Sequence, residues 1–295
     1  MGQFCNKTKI SDEINTEKEL KIKNFSSTYD KEFSKLESYY NYLNLITFYD
    51  FIFVLNQFSL NNATLDENYN NIKLSFDDNK ILNDAISVDL FQSFIENKLL
   101  KHPKIFLRKT NETLNNLFKD NLLEIYKSLN KKLIQFDKEN GKNEENNRIK
   151  KYNILAFGVL YCSGTNISKI KNIFEIFKNK SSNNIEKDSK EFNDFILSLC
   201  LIPAYCTIYS RNKLNDSYNN ELGEFDTDLL KKILDASELK DSVNLCNIVI
   251  NKIFGNENNI VSYEKWESLF ADEENGIGFI LSPKGIRNML EKNNV

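Results

Sequence analysis

Apolar positions along this chain recur at spacings of three and four, and that spacing predicts helices almost throughout. Phe33, Leu36, Tyr40 and Leu43 form one stripe. The stretch from Tyr29 to Phe58 continues through Ile46, Phe48, Tyr49, Phe51, Ile52, Val54 and Leu55, apolar on nearly every side. A helix of that kind is buried on several faces. Val88, Phe91, Phe94, Ile95, Leu99 and Leu100 make a second stripe that ends before Pro103. A long third one runs from Leu107 to Phe136 through Leu114, Leu117, Phe118, Leu122, Ile125, Leu129 and Leu133. The second half opens on Ile154 to Tyr161, turns at Ser163-Gly164-Thr165, and resumes with Ile167, Ile170, Ile173, Phe174, Ile176 and Phe177. Gly164 suits a helix C-cap and Thr165 the next N-cap, so the spacing predicts two helices joined by a very tight turn.

Phe192 to Tyr209 reads as another buried helix, bent at Pro203. Asp226 before Leu229, Leu230, Ile233 and Leu234, and Ser237 before Leu239, Val243, Cys246, Ile248, Val249 and Ile253, each open a capped amphipathic helix. Ser282-Pro283 starts a short last helix through Leu290, with Pro at the first helical position. No segment reads as a sheet strand. The fold class expected is all-α. Only 9 Gly and 3 Pro among 295 residues, against 22 Phe and 13 Tyr, point the same way, because sheet proteins need frequent turn residues.

Polar stretches divide the chain. Residues 1–27 read as an anchor segment and spacer, 28–136 as an N-terminal helical lobe, 137–151 (DKENGKNEENNRIKK) as a polar linker, and 152–295 as a C-terminal helical lobe. Asn61 to Asn83 reads as a loop within the first lobe. A hydrophobic share of 41% suffices for a core, and a net charge of -3 offers no positive field for phosphates, so no nucleic-acid partner is expected. Of five cysteines, Cys162, Cys200, Cys206 and Cys246 sit in apolar runs, without CxxC spacing. They read as reduced, core-filling thiols and not as a disulfide or zinc framework.

The amino terminus reads Met1-Gly2-Gln3-Phe4-Cys5. Gly2 carries the unsubstituted α-carbon that N-myristoylation requires, although Asn6 departs from the usual Ser or Thr at the sixth position. One acyl chain gives only reversible membrane binding, and Cys5 supplies a palmitoylation site as the second signal. Lys7 and Lys9 would face anionic headgroups. No apolar signal-peptide core follows, and Phe192 to Tyr209 is interrupted by Asn193, Asp194, Ser198 and Pro203, so no membrane-spanning helix is expected. The location expected is the cytoplasmic face of a membrane, with the body held off the bilayer by the spacer.

The segment from Ile253 to Trp266 joins two helices and resembles an EF-hand loop, with Val261 as the apolar eighth position that pairs with a sister loop and Ser262 opening the exiting helix. A calcium loop needs oxygen ligands at its first, third and fifth positions and a bidentate Glu at its twelfth. Here those positions hold Phe254, Asn256, Asn258 and Lys265, so the loop should bind no calcium. Phe157 to Thr165, followed by Lys169, Lys171 and the Phe174–Phe177 face, is similar to the helix-Gly-helix step of calcineurin B-like and neuronal calcium sensor proteins, and of the helical region preceding TLDc domains. The resemblance covers about the last half of the chain. It implies paired helix-loop-helix units in two lobes and agrees with N-terminal myristoylation.

Asp77-Asp78-Asn79, Asp137 to Gly141 and Asp272 to Gly276 lack the closing Glu or the correct Gly and read as solvated loops. The one histidine, His102, lies beside Pro103 with no catalytic companion, and reads as a capping or surface residue. No phosphate-binding, dinucleotide, nucleophile-elbow or zinc-protease motif occurs. No enzyme activity, cofactor or metal is expected. The function expected is that of a membrane-tethered adaptor or scaffold that holds a partner protein's helix in an apolar groove. Within the chain, Tyr29 to Phe58 is the alternative occupant of that groove. A calcium-responsive sensor of the same fold and a component of a cytoskeletal or ciliary assembly are the rival readings.

Overall fold

The computed structural model describes residues 45–57, 85–102, 120, 122–124, 126–127, 148–217, 240–255, 258–272 and 275–293. These are mostly helical, as the spacing predicts. In chain order come α1 (Phe48–Gln57), β1 (Ala85–Ser87), α2 (Val88–Phe94) with a π-helical extension (Ile95–Leu99), β2 (Arg148–Lys150), α3 (Lys151–Tyr161) and α4 (Asn166–Phe177). Then follow β3 (Ile185–Glu186), α5 (Lys190–Ser217), α6 (Lys240–Phe254), β4 (Ile260–Val261), α7 (Tyr263–Ala271), a 3-10 turn (Gly278–Leu281) and α8 (Pro283–Asn293). Positions around Leu122 and Tyr126 are helical too, within the stripe expected from Leu107 to Phe136.

Every residue of α3 is buried, which makes this helix the centre of the molecule. It packs against α5, α1 and the 3-10 turn. Glycine at 158 permits a close approach of α1: a Cβ there would overlap the Phe51 ring. Polar groups fix the register of α3 against its neighbours. Tyr152 Oη donates to Asp194 Oδ2 at 3.1 Å, and Ser198 Oγ donates to Asn153 Oδ1 at 2.9 Å, both across to α5. Tyr126 Oη donates to the Asn153 carbonyl at 3.2 Å. Around this axis α4 lies against α7, and α6 against α5. One hydrophobic core, from Ile46 to Leu290, runs through both halves of the chain.

The tight turn after α3 forms where expected. Gly164 takes a φ of 129°, and Thr165 Oγ1 accepts from Ser168 N at 3.2 Å to cap α4, although the C-cap position itself is Cys162. Ser163 is clamped to the start of α1. Its N–H and hydroxyl both donate to the Ile46 carbonyl at 2.9 Å, and its carbonyl accepts from Phe48 N at 2.9 Å.

Three sequence expectations are corrected. First, the stretch Tyr29 to Phe58 is not one continuous helix, because Thr47 and Asp50 form a reciprocal cap that starts α1 at Phe48. Asp50 N donates to Thr47 Oγ1 (3.0 Å) and Thr47 N to Asp50 Oδ2 (3.4 Å). Second, strands do exist, as two antiparallel pairs, with Ile86 opposite Ile149 and Ile185 opposite Val261. They are three and two residues long, too short to leave an alternating pattern. Third, the end of the 137–151 stretch is no linker: Arg148–Lys150 form β2, and Lys151 begins α3 with its side chain fully buried. Pro203 lies inside α5, which continues to Ser217. The Asp226 helix and the 61–83 loop lie outside the described residues.

Replacing Gly158 with Ala should lower stability by about 1–3 kcal/mol, the usual cost of overpacking a tight contact, read as a reduced thermal midpoint by circular dichroism. Adding Phe51→Leu should recover part of the loss. A midpoint unchanged by Gly158→Ala would show that α1 and α3 do not meet as described.

Candidate functional site

Two polar loops and the strands they carry form the site to which the sequence points. The first connects α4 to α5. Asn179 organises it: its side-chain oxygen accepts from Ser181 N (2.8 Å) and Ser182 N (3.4 Å), its N–H donates to the Asn184 carbonyl (2.8 Å), and its carbonyl accepts from Asn183 N (2.8 Å). Asn183 takes a left-handed φ of 53°, a conformation Asn tolerates better than most residues. Asn184 Nδ2 closes the loop on the Ser182 carbonyl at 2.6 Å. Ile185 then turns into the core as β3, and Ser189 Oγ accepts from Phe192 N (3.3 Å) at the start of α5.

The second loop connects α6 to α7 and is the one singled out in the sequence. Gly255 (φ 68°) breaks α6. Val261 enters β4 opposite Ile185, and Ser262 Oγ accepts from Lys265 N at 3.4 Å, capping α7. Lys187 N donates to the Asn259 carbonyl at 2.8 Å, a further tie between the loops. Of the expected positions, Asn258 and Lys265 are exposed, Val261 is buried, and Asn256 lies outside the described residues. Phe254 is 1% exposed, its ring 6.2 Å from Phe192 and nearly perpendicular to it. A ring committed to the core supplies no ligand oxygen, and Lys265 supplies a cation where a carboxylate would close around an ion.

Beneath the loops lies an aromatic cluster. Trp266, the chain's one tryptophan, is fully buried, with Phe270 at 4.8 Å and Phe192 at 5.9 Å between ring centres. Its indole N–H donates to the Ile170 carbonyl at 2.9 Å, which ties α7 to α4. Phe177 meets Phe192 of α5 edge-on and Phe195 at a tilt, with ring centres 5.5 and 4.7 Å away. The partner loop 178–189 escaped the sequence reading. Its signal was present in Ile185, a lone β-branched residue in a polar run, followed four positions later by a capping serine.

The other pair repeats the arrangement at its exit side. Ile86 and Ile149 are buried and paired, Ser87 Oγ caps α2 by accepting from Leu90 N (3.2 Å), and β2 runs straight into α3. If the paired residue is counted as the eighth loop position, the twelfth positions are Leu90, Asn153, Ser189 and Lys265. None is a carboxylate. Among the described residues no group of three or more His, Cys, Asp or Glu side chains could hold a metal ion.

Other candidate chemistry is sequestered. Cys162, Cys200, Cys206 and Cys246 are free and buried. Burial pushes the thiols of Cys162 and Cys200 well up and that of Cys246 to about 12, so they stay protonated and unreactive. His102 is buried at the end of the π-helical turn, its backbone N–H donating to the Leu99 carbonyl at 3.2 Å, so its surface reading is corrected. Lys169, noted beside Lys171 in the sequence, is buried as well, and its ammonium donates to the Val159 carbonyl at 2.7 Å. Lys171 is exposed. The lipidation positions Gly2 and Cys5, with Lys7 and Lys9, lie outside the described residues. Among the described residues no helix is long and apolar enough to cross a membrane.

No protein-family model, curated protein or solved structure matches this chain.

Burial gives the fold a definite alkaline limit. The three thiols and the Tyr126 hydroxyl all have raised pKa values in the folded chain, so above about pH 9 the unfolded chain loses protons that the folded one keeps. Their stabilisation is complete below the ordinary thiol value of 9.0 and is lost as pH rises toward the folded values. Lys169, whose pKa burial lowers, acts in the opposite sense as a single group. The urea midpoint should fall steadily above pH 9, and Cys200→Ala should make that fall shallower. A midpoint that rises through this range would contradict the burial described. Independently, Phe254→Ala should cost about 3–5 kcal/mol, as for other buried Phe truncations, without creating any calcium response.

Proposed function

We propose that this protein is a membrane-tethered, non-enzymatic adaptor whose body consists of EF-hand-like helix-loop-helix units in two pairs, and which binds a partner protein without needing calcium. The observation that carries this reading is the antiparallel contact of Ile185 with Val261 between two loops that each join consecutive helices. Short strand pairing of that kind is how helix-loop-helix units couple when their loops hold ions. Here side chains of Asn179, Ser189 and Ser262 hydrogen-bond to the backbone of these loops and of the helices that follow them. The second pair, through Ile86 and Ile149, supports the same reading for the first half of the chain.

Tethering rests on Gly2 and Cys5 as acylation sites, with Lys7 and Lys9 toward anionic lipid on the cytoplasmic face of a membrane. Two acyl chains give stable anchoring where one does not. A body whose loops need no ion suits a constitutive scaffold better than a switch.

Mass spectrometry of the native protein should find a myristoyl group on Gly2 and a palmitoyl group on Cys5. Gly2→Ala should move the protein from the membrane to the supernatant fraction. Calorimetric titration with calcium should give no saturable heat, and calcium should leave the Trp266 emission unchanged. An unmodified amino terminus would sink the tether, and a saturable calcium signal would replace the adaptor with a sensor.

A further inference from the structure

The turn from α7 into the 3-10 helix is built on an Asn-Gly pair, Asn275–Gly276. Asp272, just past α7, serves this turn twice. Its Oδ1 accepts from Asn275 N at 2.9 Å, and its carbonyl accepts from Gly276 N at 3.1 Å. Ile277 N then donates to the Leu269 carbonyl at 2.9 Å, and the Ile277 side chain is fully buried. From α6, Lys252 Nζ donates to the Asn275 carbonyl at 2.9 Å. Only glycine fits at 276, because a Cβ there would overlap the carbonyl oxygens of Asp272 and Leu269. Asn275 itself is exposed.

An asparagine side-chain amide is open to attack by the backbone nitrogen of the next residue, and a side chain on that residue hinders the approach. A turn that admits only glycine at 276 removes the hindrance and leaves Asn275 in water. We infer that Asn275 is a site of spontaneous deamidation, gated by the hydrogen bond from Gly276 N to the Asp272 carbonyl. Gly276 N forms a bond to Asn275 Cγ, and the side-chain nitrogen leaves as ammonia, carrying the proton that Gly276 N gives up. The cyclic succinimide then takes up one water. Addition at the side-chain carbonyl breaks the N–Cγ bond and gives aspartate. Addition at the main-chain carbonyl gives isoaspartate, whose backbone runs through Cβ and Cγ. The net change is amide and water to acid and ammonia, with no oxidant and no cofactor.

The gate slows this reaction without preventing it. Gly276 N cannot attack while Asp272 holds its hydrogen, and one backbone hydrogen bond of ordinary net strength lowers the open fraction by about two- to tenfold. The two products differ in their effect on the fold. Aspartate keeps the backbone and adds a charge beside Asp272, with the Lys252 ammonium close by. Isoaspartate lengthens the main chain by a methylene, which shifts Gly276 N and Ile277 N from the carbonyls they now reach. Ile277, Phe279, Ile280 and Leu281 are all buried, and the 3-10 turn packs on α3 and α7. The misfit is therefore passed into the core.

The test uses the full chain, held at mildly alkaline pH and followed by peptide mapping with mass spectrometry. The peptide carrying Asn275 should give way to two products of equal mass, each heavier by the difference between a carboxyl and an amide. Asn259 is exposed too, but Ile260 follows it, so its peptide should stay unchanged. Conversion at Asn275 should be about two- to tenfold slower in the folded chain than in urea, the factor set by one hydrogen bond. The isoaspartate form should melt below the unaltered chain, whereas Asn275→Asp should melt with it. Asn275→Gln should fold normally and yield neither product. An Asn275 that stays intact in the folded chain while the chain in urea converts would overturn the assignment. Equal rates in the two states would overturn the gate, and equal conversion at Asn259 would overturn the part given to Gly276.

Discussion

Helix α3 has no face toward solvent, and most of the architecture follows from covering it. An eleven-residue helix buried on all sides needs apolar partners around its full circumference. Those partners come from both halves of the sequence: α1 before it, α5 after it, and the 3-10 turn near the end of the chain. A surface that one lobe alone could not complete explains why the core is continuous across regions that the polar stretches had seemed to separate. It also explains the polar contacts on α3. Apolar packing is tolerant of sliding and rotation, whereas Tyr152 on Asp194 and Asn153 on Ser198 are satisfied in only one register. Buried polar groups that miss their partners cost more than an apolar mismatch, so these pairs select one arrangement among many that bury similar area.

The same economy governs the loops. A calcium loop orders its backbone by turning side-chain oxygens toward the ion, and the ion supplies the energy that fixes the chain. In the 178–189 loop the oxygens turn toward the loop's own N–H groups, with Asn179 serving two of them. Capping serines at 87, 189 and 262 do the corresponding work at the start of α2, α5 and α7. The loop's own side chains thus satisfy backbone donors that would otherwise be left without partners.

Helices and their caps were legible in the sequence because their cause is local. Thr165, Ser262 and Ser282 each stand before an apolar stripe, and each caps the helix expected. The strands were not, since two or three residues of sheet carry no periodicity, and Ile185 acquires meaning only when Val261 is found opposite it. The cap at Thr47 was hidden inside an apolar run, where Phe48, Phe51 and Ile52 continue the stripe that the turn interrupts.

The two buried lysines show how far local reasoning reaches. By composition Lys151 and Lys169 belong to solvated helix faces, and each is held in the interior. For Lys169 the reason is geometric. The turn at Ser163, Gly164 and Thr165 reverses the chain so abruptly that the first turn of α4 lies back over the end of α3. There the α3 carbonyls carry the negative end of the helix dipole, and Val159 accepts the ammonium at 2.7 Å. Burial lowers the Lys169 pKa, which registers the cost of desolvating that charge, yet the amine satisfies a backbone acceptor that a hydrocarbon would leave unpaired. The lysine thus locks the tight turn from inside while Ser163 locks it from the α1 side. The turn joins α3 to α4 and is bonded to the start of α1, so fixing it on both flanks holds these three helices as one unit.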